Sequence, residues 1–248
     1  FLAYSARIHK YTFETALLLY AQRPDATMIA SEQIWERVNR KVNDGAKGLA
    51  IFNQIALEQG RLELDYLFDV ADTIGSERTI PIVWSLHGEN IPLINDYLAG
   101  SIDSDSNKLP STLFEYISKY VDEELENTLD SFSKEIANSS LEELSAFERK
   151  SLVRETVKDS IGYMVFERAG LTSPFFSSSD TFRHFKYFNS KALLLRLGYQ
   201  TYEMGKDILI TIEKELRRIS NERQRTNLFS KERKAISEYP NVKREPSD

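Results

Sequence analysis

The side chains able to do chemistry here are three scattered histidines, a short run of aspartates, and cations interleaved with aromatics. His9, His87 and His184 are too far apart to make the two-histidine, one-turn ligand pair of a hydrolytic zinc helix. With no cysteine, thiol catalysis, disulfides and thiolate-ligated zinc are excluded. Asp44-Gly45-Ala46-Lys47-Gly48 has glycines and a lysine, but lacks the length and the following Ser/Thr of a phosphate-cradling loop. It reads as a turn between a helix and a strand. Asp65, Asp69 and Asp72 are the remaining catalytic candidates: period two sets Asp65 and Asp69 on one strand face, as a carboxylate metal site requires. A simpler account leaves them in solvent, opposite Leu64, Tyr66 and Phe68.

Binding is better supplied than catalysis. Nucleic acid is held by cations on phosphates and by aromatics under bases. Lys10 and Tyr11, with Arg23, Arg37, Arg40, Lys41 and Lys47, form one such set. Arg183-His184-Phe185-Lys186-Tyr187-Phe188 forms another, in which Arg183 and Lys186 are the phosphate candidates. Trp35 joins the first set as a stacking partner, although a tryptophan so placed also serves as a core anchor.

These residues need elements to position them. Trp35–Phe52 is the organising stretch: Ser31 caps a helix, and Ile34, Trp35, Val38 and Val42 make one apolar stripe. Asn43-Asp44-Gly45 turns the chain, and Gly48–Phe52 reads as a short buried strand. Arg37, Arg40, Lys41 and Lys47 are then expected to face outward around the turn. Upstream, Phe1–Gln22 reads as two helices split near Lys10-Tyr11, with Thr12 as a cap, followed by a short strand over Ala26–Ala30. Downstream, Leu62–Val70 reads as a strand with Leu64, Tyr66 and Phe68 on the buried face.

The fold class is therefore α+β: a small mixed N-terminal domain over 1–99, a Ser/Asp/Asn-rich linker over 100–109, and a mainly helical extension over 110–220. The helices are expected at Pro110–Asn127, Leu129–Asn138, Leu141–Ala169 and Ser190–Ser220, with Gly170 as a C-cap and Pro174 in a loop. A break near Gly198-Tyr199 would imitate a helix-turn-helix, though any helical hairpin reads the same. Residues 221–248 read as a charged helix end running into a disordered tail.

The formal net charge of −6 argues against a generic polyanion binder, yet it is unevenly spread. Ser101–Arg149 carries twelve acids against four basic residues, whereas Glu213–Glu245 carries ten Lys/Arg against six acids. No apolar run approaches the ~20 residues of a membrane-spanning helix. The lack of cysteine fits a cytoplasmic setting, and a start at Phe1 without Met suggests a piece of a longer protein.

Several short blocks occur in a fixed order: Tyr4-Ser5, Tyr20–Thr27 (YAQRPDAT), Trp35, and Arg40-Lys-Val-x-x-Gly-Ala-Lys-Gly48. In this order they resemble the N-terminal domain of ArdC-type antirestriction proteins. The variant is similar to that of long conjugative-element and phage proteins whose later parts resemble helicases and DNA methyltransferases. Phe68–Thr73 followed by Pro81-Ile-Val-Trp84 resembles the next block of that variant, so the match spans Phe1–Leu98. The resemblance implies single-stranded DNA binding and a part in protecting or processing incoming mobile DNA. Carried onto this chain, it points to Arg40, Lys41 and Lys47, with Trp35 and Tyr11 as aromatic partners. ArdC-type proteins also carry an H-E-x-x-H metalloprotease helix. This chain has none, so protease activity is not carried over.

The expectation is a non-enzymatic module that binds DNA, single-stranded in preference to duplex, with no cofactor and no membrane contact, alongside other domains of its parent. The alternative is a protein-docking or scaffolding module, suggested by the acidic 101–150 region. A third option is an enzyme using Asp65, Asp69 and Asp72.

Overall fold

The computed structural model describes residues 1–81, 83–126, 132–137, 139–172 and 182–237, with side chains of the last helix described to Thr226. Its N-terminal part holds α1 (Leu2–Ile8), α2 (Phe13–Gln22), β1 (Ile29–Ala30), α3 (Glu32–Arg37), β2 (Lys41–Val42), β3 (Leu49–Phe52), α4 (Gln54–Glu58), β4 (Leu64–Asp69) and β5 (Thr73–Ile74). The remainder is helical: α5 (Asn90–Ile102), α6 (Leu109–Glu126), the short α7 (Ser133–Ile136), α8 (Ala146–Ala169) and the long α9 (Lys191–Ser237). This is the α+β architecture with a helical extension that the sequence predicts. Strand β4 lies between β1 and β3 in an antiparallel sheet, and β2 pairs with β5 in a separate antiparallel ribbon.

Local chemistry sets the helix ends. Thr12 caps α2 by accepting the Thr15 N–H at 3.3 Å. Ser145 and Glu148 form a reciprocal capping box that starts α8 at Ala146, later than the expected Leu141. Gly170 ends α8 in the left-handed conformation expected of it, with φ 68°. Helix α5 replaces an unassigned stretch and runs through Ile102, where Asp103 turns left-handed. Helix α9 passes Gly198 without a break, so no helix-turn-helix forms there. That glycine serves close packing: a Cβ would lie 3.1 Å from the Phe13 ring of α2. The expected helix over Leu129–Asn138 lies partly, and Pro174 and the tail beyond 237 wholly, outside the described residues.

Two larger apolar cores result. The helical one gathers α5, α6, α8 and α9, and takes in Ala6 of α1 and Leu86. The second packs α1 and α2 on the sheet through Leu19, Ile29, Leu49 and Leu67, and takes in Tyr202 of α9. The Tyr202 hydroxyl lies 3.2 Å from the Ile8 carbonyl and 3.1 Å from that of Tyr11. Helix α9 therefore pins the joint between α1 and α2.

Three expectations are corrected. The faces of β4 are reversed at four positions, with Leu67 and Asp69 buried and Leu64 and Tyr66 exposed, while Phe68 is half-buried against the Trp35 cluster as expected and Asp65 is exposed. The register pairs Leu49 with Leu67, which turns both toward α2. Asp69 is held inside because its carboxylate accepts the N–H groups of Thr27 at 2.7 Å, Met28 at 3.0 Å and Ala71 at 3.0 Å. The Trp35 helix is also shorter than its stripe implies. Asn39 adopts φ 56° and the Arg40 N–H reaches back to the Trp35 carbonyl at 2.9 Å, so Val38 and Val42 leave the helix and Ile34 is exposed. Finally, Arg40 does not face outward, as detailed below.

At the edge of the sheet, the Gln22 side chain bonds both backbone groups of Ala50. Its amide nitrogen donates to the Ala50 carbonyl at 2.9 Å, and its oxygen accepts the Ala50 N–H at 2.9 Å.

Candidate nucleic-acid interface

The residues expected to bind DNA divide by burial. Trp35 is 1% exposed, packs with Ala30 and Val42, and donates its indole N–H to the Phe68 carbonyl at 3.0 Å, so neither ring face is open to a base. Arg40 is 7% exposed. Its guanidinium bonds Thr73 Oγ1 at 2.7 Å, the Thr73 carbonyl at 3.1 Å, the Ser76 carbonyl at 3.1 Å and Thr79 Oγ1 at 3.3 Å. It ties the β2–β5 ribbon to the following turn. Arg23 is ion-paired with Asp72 at 2.5 Å, and Lys41 with Asp44 at 3.1 Å in the open. Arg37 and Lys47 are exposed, with no hydrogen bond or ion pair among the described residues. In the second set, Phe188 is buried and Phe185 packs on the helical core, while Arg183 and Lys186 stay exposed, Lys186 over the Tyr187 ring. The aspartates split: Asp65 accepts from Asn53, whereas Asp69 and Asp72 share a capping box in which Asp69 holds backbone N–H groups and Asp72 accepts the Asp69 N–H and pairs with Arg23. Asp69 is thus not in solvent.

Cations gather instead in a cavity of about 770 Å³. Its walls are the α1–α2 joint from Arg7 to Tyr11, the β1 flank from Thr27 to Ala30, Ile34, the Pro81 and Val83-Trp84 segment, Arg168 and one face of α9. Each wall has a local cause. The Leu86 N–H bonds the Ala169 carbonyl at 3.0 Å, which hangs the Trp84 segment on the end of α8. Arg168 sits in the last turn of α8, where the helix dipole favours a cation. Its guanidinium lies 4.5 Å from the Trp84 ring centroid. Tyr11 is fixed by donating its hydroxyl to the Ile29 carbonyl at 2.9 Å, and burial raises that phenol to about 12.

The cavity is electropositive: Arg7, Lys10, Arg168 and Arg217 face one carboxylate, Glu213. Burial of Glu213 works to raise its pKa, but hydrogen bonds from Lys10 at 2.9 Å and Arg217 at 2.5 Å outweigh it and hold the carboxyl at about 2. Two of the four cations are thereby engaged. Arg7 and Arg168 retain no carboxylate partner among the described residues, and burial lowers the Arg168 pKa. His9 is 1% exposed; burial lowers its pKa, so it is neutral near pH 7. Of the residues in the predicted binding sets, Lys10 and Tyr11 line this cavity. His9, Trp84, Arg168, Glu213 and Arg217 went unassigned because up to about two hundred positions separate them, and no local spacing announces their meeting.

Comparison with known proteins is sparse. No family model matches the chain, and no curated protein matches it. A solved structure to which it is similar is the metal-free crystal structure of antirestriction ArdC protein from the R388 plasmid, at 12% identity over 83% of this chain and 85% of that one, with a TM-score of 0.40.

Proposed function

We propose that this chain is a DNA-binding module, selective for single strands and without catalysis of its own, within a mobile-element DNA-processing or antirestriction protein. The observation that carries this reading is the excess of cations in the cavity: Arg7, Lys10, Arg168 and Arg217 stand against the single carboxylate of Glu213, and Arg7 and Arg168 form no ion pair among the described residues. The ordered sequence blocks that resemble ArdC-type N-terminal domains support the preference for single strands. In this mechanism Arg7 and Arg168 neutralise phosphates in the cavity, and the exposed Arg37 and Lys47 extend the contact along the strand. Binding then releases counterions and weakens with salt. Fluorescence anisotropy with labelled single- and double-stranded oligonucleotides over a salt series tests it. The expected result is salt-sensitive binding that favours the single strand; no binding of either form at low salt overturns it.

A second reading, a docking module for partner domains, is favoured by one feature of the sheet. Phe52, Leu64 and Tyr66 stand exposed on one face, Phe52 and Leu64 as direct cross-strand partners. The acidic helical region supports it less than its composition suggests. Asp122 and Glu126 of α6 are paired with Arg154 and Lys158 of α8. Capture of the parent's other domains, lost on Tyr66→Ser, would favour docking.

A further inference from the structure

Within the fifteen residues Phe52–Tyr66, six large apolar side chains stand exposed: Phe52, Ile55, Leu57, Leu62, Leu64 and Tyr66. All belong to the hairpin built from β3, α4 and β4 and their connections. A sheet face left in water carries polar residues in alternation with the buried ones. Here the alternation runs the other way. Leu64, Tyr66 and Phe68 share one row, which Leu62 continues, while the opposite row of β4 puts Asp69 inside. The apolar row is covered at one end only: Phe68 packs with the Trp35 cluster, and Tyr66 and Leu64 beyond it are open. Its period-two pattern is that of a core strand, and the single chain does not bury it. A second layer on this face would complete the packing that the pattern encodes.

We infer that this layer is a second copy of the chain, packed face to face across a two-fold axis at Phe52, Leu64 and Tyr66. The contact has to run through the face, because the Gln22 side chain occupies the outer backbone groups of Ala50 and closes the β3 edge. Charge favours protein over nucleic acid here. The stretch carries Glu58, Glu63 and Asp65 against Arg61, and Arg61 is tied to Glu63, so a phosphate backbone would meet acid on this hairpin. Area favours a dimer. Exposure runs from 41% at Phe52 and Leu57 to 76% at Leu62, so the six offer about three whole side chains of surface, on the order of 500–700 Å². A standard interface takes about 800 Å² from each partner, about 65% of it apolar between identical subunits, or roughly 520 Å². One patch used twice about a two-fold therefore suffices, and such isologous pairs are the commonest assemblies. The inference is independent of the single-strand reading and competes with docking of partner domains for the same face.

Sedimentation equilibrium of the full chain tests it. The mass should approach twice that of one chain as the concentration rises to about 100 μM. Leu64→Glu sets a charge into the contact from both copies and should weaken dimerisation by at least about tenfold. Because the chain has no cysteine, a single introduced one reports proximity without background. Leu64→Cys should cross-link to its mate through a short bismaleimide, and the exposed Lys119→Cys on α6 should not. A chain that stays monomeric overturns the inference, as does a dimer that tolerates Leu64→Glu and cross-links no better at position 64 than at 119. A monomer that captures the parent's other domains through this face assigns it to docking, and a monomer that loses single-strand affinity on Leu64→Glu assigns it to DNA; both overturn the inference. Should Leu64→Glu fail to fold, the cross-linking pair decides.

Discussion

Arg40→Ala should unfold this protein more readily without touching a DNA contact. The buried guanidinium makes four hydrogen bonds, two of them to Thr73, and they span the β2–β5 ribbon and the turn at Ser76–Thr79. Truncation does not orphan every partner: the Thr73 hydroxyl still donates to the Val70 carbonyl at 2.7 Å, and the Thr79 hydroxyl to the Ser76 carbonyl at 2.6 Å. Hydrogen bonds to a charged group contribute roughly 1.5–3 kcal/mol each in substitution series, and they are not additive. Removing a buried charge also relieves its desolvation cost, which offsets part of the loss. The net expectation is about 2–4 kcal/mol, or roughly 5–15 °C in Tm for a chain of this size. Thermal unfolding followed by circular dichroism reads it directly. An Arg40→Ala variant melting within about a degree of the parent would refute the account, since that is below the shift expected per kcal/mol. Loss of DNA binding in any Arg40 variant is therefore uninterpretable until its stability is known.

Three further outcomes are expected. Arg37→Ala and Lys47→Ala should each stay within about 0.5 kcal/mol of the parent in stability. Each should also flatten the logarithmic salt slope of single-strand binding, by about 0.7 for a full phosphate contact, and an unchanged slope would remove that residue from the interface. The Glu213 carboxyl, held at about 2 against an ordinary 4.5, contributes stability that is complete above its unfolded value and lost as pH falls toward 2. In urea unfolding, Glu213→Gln should lower stability at neutral pH and lose that deficit over this acid window. A deficit independent of pH would contradict the ion-pair origin. Asp159 is the reverse case: burial first, then Glu155, raise it from 3.8 to about 6, against opposition from Arg183 and Lys158. Its ionisation costs stability as pH rises from near 4 through 6, so Asp159→Asn should raise Tm at pH 7 and change nothing at pH 3.5.

Much of the fold was legible because its signals are local. Thr12, Asn43-Asp44-Gly45 and Gly170 mark their cap and turns through backbone chemistry that needs no tertiary context. The reversal of β4 shows where such reading stops. Period two identifies alternate faces but not which is inward, and here three N–H groups bonding Asp69 outweigh the apolar character of Leu64 and Tyr66. Arg40 misleads for a related reason, since it is drawn inward by carbonyls over thirty residues away, and the same kind of contact makes Trp35 the core anchor the sequence allowed and not the stacking partner. The cavity was the least legible feature. Lys10 and Tyr11 stand out in sequence, but their partners Glu213 and Ile29 are brought to them only by the packing of α9 and β1. Gly198 likewise reads as a helix break and is in fact a contact for Phe13.

The clasp of Gln22 on Ala50 bears on how this protein behaves in a crowd. A strand at the rim of a sheet offers its free N–H and C=O to any passing chain, the first step of sheet-to-sheet adhesion. Here a single amide occupies those groups in the middle of β3, acting as a one-residue substitute for a neighbouring strand. The rim is closed while the adjoining face, with Phe52 and Tyr66, stays open. Sticky side chains can thus be displayed beside the sheet without inviting copies of the protein to zip together along it.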